Sequence, residues 1–242
     1  MSRLDKTQTG IILKFFDAEF KESLKRGEIY FSELSSFRSN SEMLTTAQAD
    51  SQEAKHTTLL DDEKEQLFVK NPRTGDTVKI HFEKASINLE LPTADVANMF
   101  ISSFVFLKYD TDFDRVDDVL YIKKSVIEGL SDIANHRPFA IFYLDELIDS
   151  VKSQFTNQEY SVYCDLVEYR GHNEFIKHDI GAEPIRLAFT KQEKYANQKE
   201  YRVLIYNPNG LRPENLILSK VAGSNGQDIF EFECLNKLTF HE

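Results

Sequence analysis

The stretch KYANQKEYRVLIYNPNG, Lys194 to Gly210, decides how this chain is read. Tyr201 to Tyr206 is a short run of β-branched, aliphatic and aromatic residues that stops at Asn-Pro-Asn-Gly, the composition of a buried strand closed by a turn. Glu200 stands at the entrance of that strand. A carboxylate fixed there, at the rim of a cleft, suits general acid or base work or the stabilisation of positive charge in a transition state. The plainer alternative is a solvated strand-end residue paired with Lys199 or Arg202.

Outward from this strand, Tyr160 to Tyr169, Ile185 to Phe189 and Ile229 to Phe240 continue a strand-rich last third. Phe100 to Lys108 and Phe139 to Leu144 have the same buried-strand character. Between them Ser125 and Glu128 have capping-box spacing, and Val126, Ile127, Leu130 and Ile133 recur at helical intervals until Pro138. Asp145 opens a second helix carrying Leu147, Ile148, Val151 and Phe155. At the N-terminal end, Ile11 to Phe16 reads as a strand. Asp17 then caps a helix with Phe20 and Leu24 on one face, Gly27 stops it, and Glu28 to Ser32 returns as a strand. SELSSFRSN, Ser32 to Asn40, reads as a polar loop. Residues 39–66 are poor in large apolar groups and read as an exposed loop or lid; residues 66–84 read as a β-hairpin insertion turning at Asn-Pro-Arg-Thr-Gly-Asp. Helices that cluster early and centrally, with strands late, give an α+β fold: a mixed, mostly antiparallel central sheet with flanking helices.

A chain of 242 residues fits one domain with a sizeable core, and 19 Phe with no Trp make that core Phe-rich. Forty acidic against 29 basic residues give a formal charge of −11, which opposes generic binding to nucleic-acid backbones and anionic membranes. Cys164 and Cys234 lie far apart with no Cys/His spacing, the pattern of reduced thiols. With no signal-like N-terminus and no long apolar run, the expected location is cytoplasmic, with no membrane association.

Asp110, Asp112 and Asp114 imitate the start of a calcium loop, but its glycine and terminal glutamate positions hold Arg115 and Tyr121, so an acidic surface turn is expected. His172, Glu174 and His178 match no standard zinc spacing, and no metal site is assigned. His136 reads as a helix C-terminal residue favoured by the helix dipole. Nucleophile-elbow, phosphate-loop and dinucleotide-fold glycine motifs are absent from the sequence. What remains is Glu200 with Lys14, Tyr30, Ser32 and Arg38 from the opposite end of the chain. A carboxylate, a hydroxyl, an aromatic ring and cations are the groups that hold a ribose, a nicotinamide and a diphosphate.

KFF (Lys14 to Phe16), LKRGEIYFSELSSF (Leu24 to Phe37) and KYANQKEYRVLI (Lys194 to Ile205) resemble the motifs of a broad bacterial and phage family of unknown function. Its members open with a Lys-Phe or Lys-Tyr strand, continue through a Gly-x-Ile-Tyr-Phe-Ser segment and carry a late Glu-Tyr-Arg strand. More distantly the chain resembles the ADP-ribosyltransferase fold. That resemblance implies NAD as the bound dinucleotide, Glu200 as the catalytic residue, Tyr30 and Ser32 on the nicotinamide side, and Lys14 and Arg38 on the diphosphate. It also implies transfer of ADP-ribose to a macromolecular acceptor in conflict between phage and host. Arg38-Ser39-Asn40 stands where the transferase branch has Asn-Asp-Pro, and Lys14 where it has His or Arg. The alternative function is a non-catalytic acidic inhibitor or interaction protein that binds a basic partner surface.

Overall fold

The computed structural model describes residues 9–39, 53–61, 66–134, 136–155, 159–171, 184–218 and 229–241. β1 (Gly10–Phe15) passes through a 3₁₀ turn (Ala18–Phe20) and helix α1 (Lys21–Lys25) to β2 (Glu28–Ile29), β3 (Ser32–Glu33) and α2 (Leu34–Ser39). β4 (Lys55–Asp61), β5 (Leu67–Lys70), β6 (Thr77–Ile80) and β7 (Lys84–Glu90) follow as two pairs, β4 with β7 and β5 with β6. Then come α3 (Thr93–Ala97), β8 (Met99–Lys108), α4 (Tyr109–Asp112), β9 (Phe113–Val116), β10 (Val119–Ile122), α5 (Lys124–Ala134), β11 (Phe139–Phe142) and α6 (Leu144–Phe155). The last third holds β12 (Ser161–Leu166), β13 (Glu168–Arg170), β14 (Thr190–Gln192), β15 (Glu200–Tyr206), β16 (Leu216–Ile217), β17 (Ile229–Phe230) and β18 (Thr239–His241). The class is α+β, with antiparallel pairing throughout the central sheet.

That sheet runs in the order β12-β15-β8-β1-β11-β17, with β3 also on β8. Period-two alternation sorts its side chains. Tyr201, Val203 and Ile205 join Phe100, Phe104 and Phe106 against Leu147, Val151 and Phe155 of α6 on one face. On the other face lie two separate clusters. Leu13, Val105 and Leu107 pack against Leu130 of α5, while Ile101 and Leu204 pack with Leu34 and Val96 from α2 and α3. Glu200 and Arg202 point to this second face, along a polar seam.

The feature that makes a cleft is a split in the sheet. β1 pairs with β8 only as far as Leu13 opposite Val105, then stays with β11 through Lys14 opposite Ala140 and Phe15 opposite Phe139. β3 meets the same edge of β8 further along, at Ser32 opposite Ile101. Ser102, Ser103 and Phe104 therefore face a gap between two strands that part. Lys14 bridges it, donating from Nζ to Ser103 O at 2.8 Å and Ser102 Oγ at 2.9 Å. Gly27 sets the return of the chain toward β3. Its φ is +77°, and a Cβ there would stand 2.3 Å from the Leu218 carbonyl oxygen.

Several expectations need correcting. The expected polar loop Ser32 to Asn40 is, in its described residues 32–39, a short strand and a helix, because Leu34 is fully buried and draws Leu34–Ser39 into α2. The Glu28 to Ser32 strand is broken at Tyr30 and Phe31: β2 pairs with β16 and β3 with β8, so one continuous strand serves neither partner. Phe20 is exposed and does not share a buried face with Leu24. Ser125 lies inside α5 rather than at its cap, since the helix already starts at Lys124. Ile185 to Phe189 forms part of a 3₁₀ helix (Pro184–Phe189), not a strand. Within 39–66, the described residues 53–61 are not an open loop: Glu53 and Ala54 are buried and lead into β4. Residues 40–52 and 62–65 lie outside the described residues.

Candidate functional site

A cavity of about 700 Å³ occupies the split. Lys14 comes from the last part of β1, Tyr30 and Ser32 from the β2–β3 return, Ser102 and Ser103 from the bare edge of β8, and Glu200 with Arg202 from β15. Four of the five residues singled out in the sequence thus converge. The fifth, Arg38, sits in α2, and its side chain lies outside the described residues. Tyr30 is 54% exposed at the rim, with the Arg212 guanidinium 4.5 Å from its ring centroid and hydrogen-bonded to its hydroxyl.

Glu200 is 5% exposed. Its Oε1 accepts from Ser103 Oγ at 2.5 Å and Arg202 Nε at 2.6 Å; its Oε2 accepts from Lys191 Nζ at 2.7 Å and Arg202 Nη2 at 3.3 Å. Arg202, only 1% exposed, turns its other edge to Glu53 at 2.5 and 2.9 Å and also donates to Ala188 O. Lys191 donates to Gln198 Oε1 at 2.9 Å, and the Glu200 backbone N–H donates to Tyr169 OH at 2.8 Å. Two carboxylates and two cations thus form a closed, neutral quartet, the condition for keeping charges buried.

This arrangement revises the chemistry expected of Glu200. Burial pushes its carboxyl up, but Arg202 and then Lys191, through charge and hydrogen bonds, overcome that and hold it well below the ordinary carboxylate range. It is ionised at neutral pH and has no proton to donate. It can act as an acceptor and as a fixed negative charge. The partner is Arg202, as the plainer reading allowed, yet the residue is buried rather than solvated. Lys199 takes no part: its backbone is left-handed (φ +47°) and its Nζ pairs with Asp112 at 2.9 Å.

Phe15, Phe16, Phe20, Ile133 and Arg137 also line the cavity, and Lys14 interacts electrostatically with both Arg137 and Glu200. Burial first, then the charge of Arg137, push the Lys14 ammonium down to about 8, against a weaker upward pull from Glu200. Its Nζ also stands 4.9 Å from the centroid of the Phe104 ring, beside the two serine oxygens already named.

The sequence reading missed Glu53, Lys191, Ser103 and Arg137. Arg202 had a signal, since a residue two positions after Glu200 in a strand shares its face. Glu53 had none, lying in a polar segment. Of the expected acidic surface turn, Asp110 and Asp114 are exposed, but Asp112 is buried and accepts from Lys108 N at 2.9 Å as well as from Lys199. His136 is exposed and left-handed just after α5. Among the described residues no group of His, Cys, Asp or Glu is arranged to hold a metal; His172, Glu174 and His178 lie outside them. No helix among the described residues is long and apolar enough to cross a membrane. Both cysteines are free, and burial pushes the Cys164 thiol up to about 12.

Comparison with protein-family models, with curated proteins and with solved structures finds no match to this chain.

Proposed function

We propose that the cavity binds a nicotinamide dinucleotide and that the protein is an ADP-ribosyltransferase-like enzyme acting on a macromolecular acceptor. The observation that carries this reading is the convergence of Lys14, Tyr30, Ser32 and Glu200, from both ends of the chain, on one cavity of about 700 Å³. That volume falls in the range of small-molecule sites, and aromatic walls with a few polar groups are their usual lining.

In this reading the bond between the nicotinamide nitrogen and the ribose carbon breaks, nicotinamide leaves with the electron pair, and an acceptor atom attacks the same carbon as its proton passes to solvent. Glu200 offsets the positive charge that develops on the sugar, an effect that depends on its being ionised. A ribose hydroxyl reaches Glu200 by replacing its longest bond, the 3.3 Å one from Arg202 Nη2. Tyr30 offers a ring face and Ser32 a hydroxyl on the nicotinamide side, and Lys14 meets the diphosphate. The two cations already on Glu200 mute its charge, so positioning carries much of the rate.

The test is release of nicotinamide from NAD by the wild-type protein and by Glu200→Gln, each checked for native circular dichroism. Release by wild type that falls at least about a hundredfold in the variant supports the reading. Equal release by the two proteins, or none by wild type, rejects it.

A further inference from the structure

The charges lining the cavity do not cancel locally. Of its four carboxylates, Glu53 and Glu200 are consumed by Arg202 and Lys191, and Glu28 is held by Arg26 at 2.9 and 3.0 Å, outside the cavity. The fourth, Asp17, has a side chain 58% exposed and stands 3.8 Å from Arg137 Nη1, a loose pairing. Lys14 has no carboxylate partner among the described residues. Its three protons meet two neutral oxygens, and one remains for the cavity. Arg137 uses Nε and Nη2 on the carbonyls of Ala134 and Ile133 at the end of α5, which fixes the guanidinium and leaves Nη1 toward Asp17 and the cavity. Two cations that face one cavity without a firm counter-ion form a site for an anion.

We propose that Lys14 and Arg137 form a phosphate subsite in the cavity, and that it receives the diphosphate of a nucleotide ligand. Arg137 thereby supplies the second cation for the diphosphate. This rests on reading the cavity as a dinucleotide site. Bound phosphate neutralises the pair, and because it favours the charged form of Lys14, binding above pH 8 draws a proton from solvent. The other titratable groups on the cavity are the neutral quartet, Glu28 with Arg26, Asp17 beside Arg137, and Tyr30 at the rim with Arg212 against its ring.

The experiment is isothermal titration calorimetry of ADP and of inorganic pyrophosphate at pH 8.5, in two buffers of different ionisation enthalpy. The proteins are wild type, Lys14→Met, Arg137→Lys and Asp17→Asn. The subsite predicts binding of both ligands by wild type, with proton uptake on binding ADP, whose phosphates are fully ionised at this pH. Lys14→Met weakens binding roughly tenfold or more and abolishes the uptake. Arg137→Lys, which keeps the charge but loses the fixed guanidinium, weakens binding several-fold. Asp17→Asn, whose side chain makes no helix-capping bond, tightens it by removing the competing carboxylate. Absence of ADP and pyrophosphate binding at millimolar concentration overturns the proposal, as does binding unchanged in both Lys14→Met and Asp17→Asn. ADP binding that depends on these residues in a protein that releases no nicotinamide keeps the subsite and rejects the transferase; nicotinamide release without such binding does the reverse.

Discussion

The two ends of the cavity hold similar residues under opposite conditions. At one end Glu53, Lys191, Glu200 and Arg202 satisfy one another, two charges against two, with Arg202 almost wholly excluded from solvent. At the other end Lys14 and Arg137 face the same space with only neutral oxygens and a loosely placed Asp17. The difference separates charges that are already paired within the fold, Glu200 among them, from charges left without a firm counter-ion. A closed quartet fixes β15, β14 and the segment before β4 in one arrangement. An unbalanced pair adds little to the fold and is disposed to meet a ligand.

The largest test of this contrast is Arg202→Met. It leaves two buried carboxylates with one lysine between them, and a loss of about 3–5 kcal/mol is expected by chemical denaturation. A loss below about 1 kcal/mol would mean that the quartet is not interlocked. Gly27→Ala, which alters no charge at either end, serves as a backbone reference: a left-handed alanine pressed against the Leu218 carbonyl should cost about 1–3 kcal/mol by the same method.

The two ends also predict opposite responses to pH. Glu200 is depressed in the folded protein, so its contribution is present at neutral pH and is lost as pH falls below the ordinary carboxylate value of 4.5. Glu200→Gln should flatten that acid limb. Lys14 is depressed from 10.5 to about 8, so above pH 8 the unfolded chain holds the proton that the folded protein has released. Stability should rise modestly from pH 8 to about 9.5, below the tyrosine range, and this rise should be absent in Lys14→Met.

How much of this was legible in the sequence follows from the distance over which each signal acts. The strands β8, β11 and β15 and the helices α5 and α6 are local patterns of period two and 3.6, and each is found close to its expected bounds. The convergence of Lys14, Tyr30, Ser32 and Glu200 rested on a resemblance of motifs, since no local pattern brings residue 14 to residue 200. Glu53 and Lys191 were not legible at all. One lies in a polar stretch and the other in the middle of a three-residue strand, and both acquire meaning only from the buried guanidinium between β15 and its neighbours. The break at Tyr30 and Phe31 was hidden for the same reason, because the partners that divide the strand, β16 and β8, are far away in sequence.

Thermal unfolding with NAD, with ADP-ribose and without ligand tests whether the split between β1 and β3 holds the proposed dinucleotide site. A ligand at a hundred times its dissociation constant adds about 2.7 kcal/mol, which for a chain of this size raises the midpoint by about 5–10 °C. The account predicts such a rise with ADP-ribose for the wild-type protein, and a much smaller one for Lys14→Met. No shift with either ligand up to millimolar concentration would contradict it.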